Sequence, residues 1–103
     1  MNEFVKVFNN VLYNSFCDNL VKLFDDEVEL SVLRQTSIHN FSELHIEQFD
    51  KFDKVKGSLI NCMVEKVGLY KTQFKDICFP PTLKFEPIKI KRYLPGGYFD
   101  WHV

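Results

Sequence analysis

The sequence is poor in the residues that build special architectures. Of its 103 residues only three are cysteines, Cys17, Cys62 and Cys78. An odd number without Cys-x-x-Cys spacing argues against a disulfide framework or a zinc knuckle. It points to a reducing cytoplasm, with the three thiols expected to be buried and unreactive. Glycine and proline, four of each, make no low-complexity linker, and no internal repeat divides the chain. No long apolar run suggests a membrane span, and Met1-Asn2-Glu3-Phe4 lacks the basic start of a signal peptide. A soluble, cytoplasmic protein with no membrane partner is the expectation. An excess of one charge is missing too: 13 basic residues stand against 14 acidic ones, for a net charge of −1. That balance gives no whole-chain attraction to nucleic acid.

Apolar and aromatic residues are plentiful. The chain is 46% hydrophobic and 16% aromatic, with eleven phenylalanines. That much apolar surface offsets chain entropy and excludes a disordered polypeptide. The length suits one small domain.

Residues Glu3 to Leu12 read as a strand, with Asn9-Asn10 as a turn or bulge. Asn14-Ser15 offers an N-cap, and Ser15 with Asp18 fits a capping box. Phe16, Leu20, Leu23 and Phe24 then recur at helical spacing. Asp25-Asp26-Glu27 is an acidic stop, poorly matched to the negative end of a helix dipole. Between Val28 and Phe49 the pattern weakens, with strands expected at Ser31 to Ile38 and Leu44 to Phe49. From Asp53 to Phe74 the helical period returns in Val55, Leu59, Met63, Val67, Tyr70 and Phe74. Pro80-Pro81 excludes further helix. Phe85 to Tyr93 alternates as a strand, Leu94-Pro95-Gly96-Gly97 reads as a turn, and Tyr98 to Val103 reads as a return strand, completing a β-hairpin.

The chemistry-bearing residues gather at the C-terminal end. Strand alternation puts Lys89, Lys91 and Tyr93 on one face of the first arm, and Tyr98, Asp100 and His102 on one face of the second. With the arms paired, Tyr93 and His102 line one cavity. A phenol, an imidazole and a lysine suit an anionic small molecule beside a metal. Asp100 reads as solvated or as a hairpin partner rather than a ligand. His39 and His45 read as surface or loop residues. Lys89-x-Lys91-Arg92 is too short a basic run to indicate nucleic-acid binding.

The run Arg92-Tyr93-x-Pro95-Gly96-Gly97-Tyr98-Phe99-x-x-His102-Val103 closely resembles the pattern R-Y-x-x-G-x-x-F-x-x-H-x-D of prolyl-4-hydroxylase-like dioxygenases that use Fe(II) and 2-oxoglutarate, in the form typical of bacterial and bacteriophage members. Asn10-Val11-Leu12, Phe16 to Val21, the long helix and Phe79-Pro80 resemble the family's upstream parts. The resemblance implies an α+β fold, with N-terminal helices packed on the first strands of an incomplete double-stranded β-helix, or jelly roll. Residues 1–80 would form the N-terminal strand and support helices of a single domain, and residues 81–103 its first jelly-roll hairpin. His102 would be the first ligand of a 2-His-1-carboxylate iron site. Tyr93 would hydrogen-bond 2-oxoglutarate, and Tyr98 would stand in the pocket wall. The implied cofactors are Fe(II) and 2-oxoglutarate, with ascorbate a candidate third. The implied reaction is hydroxylation of a C–H bond, with proline or a prolyl residue as one substrate class and other small or protein substrates left open.

One departure from the pattern is large. The carboxylate ligand belongs just beyond Val103, and the second histidine and the basic partner of 2-oxoglutarate belong further on. No residue of the chain is therefore singled out as catalytic. A polypeptide ending at Val103 is expected to be inactive alone, and to need a complementary C-terminal fragment as partner. The alternative expectation is a small non-catalytic binding module derived from the same fold.

Overall fold

The computed structural model of the protein describes residues 4–101. It is an α+β arrangement of two α-helices and a four-stranded antiparallel sheet. Helix α1 spans Asn14–Asp26 and helix α2 spans Asp53–Gln73. Strand β1 spans Val32–Gln35, β2 spans His39–His45, β3 spans Lys89–Arg92 and β4 spans Tyr98–Phe99. Short 3-10 turns at Val28–Leu30, Ile46–Gln48 and Asp50–Phe52 connect the layers. No helix among the described residues is long and apolar enough to cross a membrane.

Both helices form where the apolar period puts them. In α1, Phe24 is fully buried and Leu23 packs beside it. The expected side-chain N-cap is not made: Tyr13 occupies the cap position and bonds only through its backbone. The acidic C-terminal end of α1 is compensated from elsewhere in the chain. Asp25 accepts a 3.2 Å bond from Arg92, and Glu27 a 2.8 Å bond from Lys51. Two cations thus offset a mismatch with the helix dipole that local sequence alone could not resolve. In α2 the stripe from Val55 to Phe74 is half-buried throughout. Residues 4–13 form no strand, contrary to expectation. This segment lies along α2 instead: the Tyr70 hydroxyl donates to the Phe4 carbonyl at 2.7 Å, and Asn10 takes a left-handed turn conformation.

Strand β2 is the centre of the sheet. β1 pairs with one of its edges, and β3 and β4 both pair with the other. Here the structure corrects the sequence reading. The expected β-hairpin of residues 81–103 is not formed by β3 and β4, because both run antiparallel to β2 and so run in the same direction. Arg92 stands opposite Ser42 and Tyr98 opposite Asn40. Leu94, Pro95, Gly96 and Gly97 are looped out between them. The turn itself is as read, with Gly97 N–H donating to Leu94 O at 2.7 Å and Gly96 at a positive φ. It returns the chain to its original line rather than reversing it. The physical reason lies in β2, which is seven residues long while β3 covers only its C-terminal half. The backbone groups of His39 and Asn40 still need partners, and β4 supplies them.

The core lies between the helices and one face of this sheet. Phe24, Leu44, Ile46 and Phe52 are buried together, with Leu23, Leu30, Val55, Leu59, Ile88 and Ile90 packed around them. The thiols depart from expectation: Cys17 and Cys78 are exposed and Cys62 is half-buried.

Candidate functional site on the open face of the sheet

The face of the sheet turned away from the helices carries most of the polar chemistry. Alternation along β2 sends Leu44 and Ser42 toward the helices and His39, Phe41, Glu43 and His45 the other way. The register brings Arg34 opposite Phe41, Lys91 opposite Glu43, Lys89 opposite His45, and Phe99 opposite His39. Arg34, His39, Phe41, Glu43, Lys89, Lys91 and Phe99, with Thr36 from the β1–β2 turn, line one cavity of about 410 Å³.

Glu43 is the buried acid at its floor, only 3% exposed. Arg34 Nε donates to Glu43 Oε1 at 2.6 Å, and His45 Nε2 lies 3.1 Å from the same oxygen. Apart from this contact the buried His45 Nε2 has no partner among the described residues. Burial alone pushes the Glu43 carboxyl up. The bonds from Arg34 and His45, with the charges of Lys89 and Arg34, outweigh burial and hold it below its ordinary value. Glu43 is therefore ionised at neutral pH and already compensated by Arg34. Neither Lys89 nor Lys91 has a carboxylate within ion-pair distance among the described residues. The face is left with an excess of positive charge.

Its walls are aromatic. Phe41 and Phe99 stack at 5.6 Å with planes 18° apart. The Lys91 ammonium sits 4.7 Å from the Phe41 ring centre and 4.8 Å from that of Phe99. Such a position holds a cation by its attraction to the ring faces. His39 packs edge-on against Phe99 at 4.5 Å, and its Nδ1 lies 2.9 Å from the Thr36 hydroxyl.

Of the three residues singled out from the sequence, two lie among the described residues. Tyr93 lies on the open face, with its ring 5.1 Å from Phe41 and 44% of the residue exposed. Tyr98 stands opposite Asn40, in register with the helix-facing side of β2, and its hydroxyl donates to Thr36 O at 3.3 Å. The structure therefore does not bring the two tyrosines together. His102 lies outside the described residues. Among the described residues no group of three or more His, Cys, Asp or Glu side chains is placed to hold a metal ion. Sequence reasoning missed Arg34 and Glu43 and assigned His39 and His45 to surface or loop. The strict alternation His39-x-Phe41-x-Glu43-x-His45 was the available signal. Compared with known proteins, the chain matches no family model, no curated sequence and no solved structure.

Proposed function

We propose that this chain is the N-terminal part of an Fe(II)- and 2-oxoglutarate-dependent oxygenase of the prolyl-4-hydroxylase type, hydroxylating a C–H bond of proline, a prolyl residue or a related substrate. The observation that carries the reading is the run from Arg92 to Val103, with its tyrosine, glycines, phenylalanine and histidine at the family's spacing. Support from geometry is narrower. Tyr93 stands on a cation-lined face, where its phenol can donate to a carboxylate. The described residues do not themselves fit an iron ion. Iron would have to be held by His102 together with residues beyond Val103. When bound with 2-oxoglutarate, that metal supplies the oxidising power for C–H hydroxylation.

The work of the described residues in this reading is orientation. Helices α1 and α2 brace the sheet through Leu44, Ile46 and Ile90. A braced sheet holds its outward side chains in fixed register, which is what positioning a cosubstrate demands. Phe41 and Phe99 keep part of the face dry and so strengthen the charged contacts made beside them.

The test begins with the coding sequence. The reading requires an aspartate directly after Val103, with a histidine and a basic residue further downstream. A polypeptide that includes them should convert 2-oxoglutarate to succinate with Fe(II), and His102→Ala should abolish the conversion. The chain ending at Val103 should give none. A downstream sequence without those residues, or an extended protein without succinate production, overturns the assignment and leaves a non-catalytic binding module.

A further inference from the structure

We infer that the free edge of β1 is a self-association surface. A second copy of this chain pairs its own β1 there, antiparallel and about a two-fold axis, with Leu33 against the partner's Leu33. Nothing in this pairing depends on the oxygenase reading.

β1 ends the sheet, and its only strand neighbour is β2. At the turn, Thr36 N–H donates to His39 O at 2.9 Å. Alternation along an antiparallel ladder then makes Arg34 and Val32 the residues that bond across to Phe41 and Glu43. Leu33 and Gln35 turn their N–H and C=O groups outward, where no described residue meets them. All of β1 is exposed. Leu33 is 59% exposed although its side chain lies on the helix-facing side, so neither helix reaches this edge. Edge strands are ordinarily guarded by a lysine, a proline or a bulge. β1 reads Val-Leu-Arg-Gln in unbroken register and has none of them. Its one charge, Arg34, is drawn inward over β2 by its bond to Glu43 and does not guard the edge.

The sequence of the edge selects the partner and the register. A two-fold axis across the sheet keeps each face on its own side, so only residues of one face can stand opposite each other. With Leu33 at the axis, its N–H and C=O bond both ways with the partner's Leu33. Each Gln35 N–H then reaches the partner's Ser31 carbonyl, which lies on extended backbone. Arg34 stands opposite the partner's Val32 and keeps Glu43. With Arg34 at the axis instead, two guanidinium groups face each other, and like charges directly opposite are destabilising. With Val32 at the axis, Leu33 falls opposite the partner's Ser31, whose N–H is already spent on Val28 O, and half of the bonding is lost. The Leu33 register alone combines full bonding with an apolar pair at its centre. It closes on itself, so assembly through this edge stops at a dimer. A four-residue edge buries less than the about 1,200 Å² of stable complexes, and the dimer therefore forms reversibly with concentration.

The experiment follows sedimentation and amide exchange of the chain over about a hundredfold range of concentration. As the dimer forms, exchange at the Leu33 and Gln35 amides should slow, because only then do these outward groups find acceptors. Leu33→Pro removes an outward N–H without taking a bond from the β1–β2 ladder, a substitution that edge strands tolerate. It should weaken dimerisation by at least about tenfold, with circular dichroism confirming the fold. Register is read by crosslinking in a background of Cys17→Ser, Cys62→Ser and Cys78→Ser. Under mild oxidation Leu33→Cys should link two chains, since paired Cα atoms about 5.5 Å apart suit a disulfide. Val32→Cys, opposite the partner's Arg34, should link at least about tenfold more slowly. Association that leaves Leu33 exchange unchanged, a dimer that survives Leu33→Pro, or equal linking by the two cysteine variants overturns the pairing and assigns association to the open face. A chain that stays monomeric throughout the range overturns it as well. None of these readouts involves succinate production, so the oxygenase reading stands or falls separately.

Discussion

A single residue, Glu43, shows how a charged side chain comes to be buried in so small a sheet. Arg34 precedes it by nine positions and His45 follows by two, and both reach the one carboxylate, while the charge of Lys89, far along the chain, acts on it from beyond ion-pair distance. The carboxyl lies below its ordinary value of 4.5 because the hydrogen bonds from Arg34 and His45, with the charges of Lys89 and Arg34, outweigh burial. A depressed folded-state value means that the ionised form favours the fold. Its contribution is complete above 4.5 and is lost as pH falls through the lower folded value. Glu43→Gln should therefore cost about 1–2 kcal/mol at neutral pH, a figure reduced because Arg34 is half exposed. Urea unfolding at about pH 7 and about pH 3 checks this, since the difference should shrink in acid. An equal loss at both values would assign the effect to packing instead of charge.

At the scale of elements, the loop from Leu94 to Gly97 decides how the second half of the sheet is built. A Cβ added at Gly97 would lie 2.7 Å from Asn40 O and 2.9 Å from Leu94 O. Both are backbone atoms: Asn40 O belongs to β2 where it pairs with β4, and Leu94 O accepts the turn bond from Gly97 N–H. Gly97→Ala should destabilise the protein by about 1–3 kcal/mol and should increase amide exchange at Tyr98 and Asp100. Unchanged exchange there would mean that β4 does not depend on this close approach. The same loop shows what the sequence made legible. Turn chemistry at Pro95, Gly96 and Gly97 was readable, because it depends on neighbours. The direction of the chain after the turn was not, because it depends on how many ladder positions β2 leaves open. The helices were readable for the first reason: Phe16 to Phe24 and Val55 to Phe74 repeat at a local period. The open face escaped for the second. His39, Phe41, Glu43 and His45 alternate, but they mix aromatic and polar residues, and the pattern resembles neither a buried nor a solvated strand until Arg34 and Lys91 are placed beside it.

For the molecule as a whole, the balance between buried and exposed surface is unusual. A compact monomer of 12.2 kDa has an accessible surface of about 6,000 Å². This chain exposes 8303 Å². Its radius of gyration is 16.3 Å, against about 13 Å for a compact chain of this length. The excess reflects a two-layer arrangement in which helices cover one face of the sheet and nothing described covers the other. Apolar side chains are left at the surface, among them Tyr13, Leu33, Leu94 and Trp101, the last 96% exposed. β1 adds a short edge with unpaired backbone groups, which invites pairing with another chain. Surface of that kind associates when it can. The purified chain should therefore form oligomers or precipitate as its concentration rises, and should bind a hydrophobic dye. Light scattering across a dilution series checks this. A polypeptide that covers the open face of the sheet should restore a single species and remove the dye signal. A monodisperse monomer that binds no dye at high concentration would show that the helices and the five buried hydrophobic residues suffice on their own.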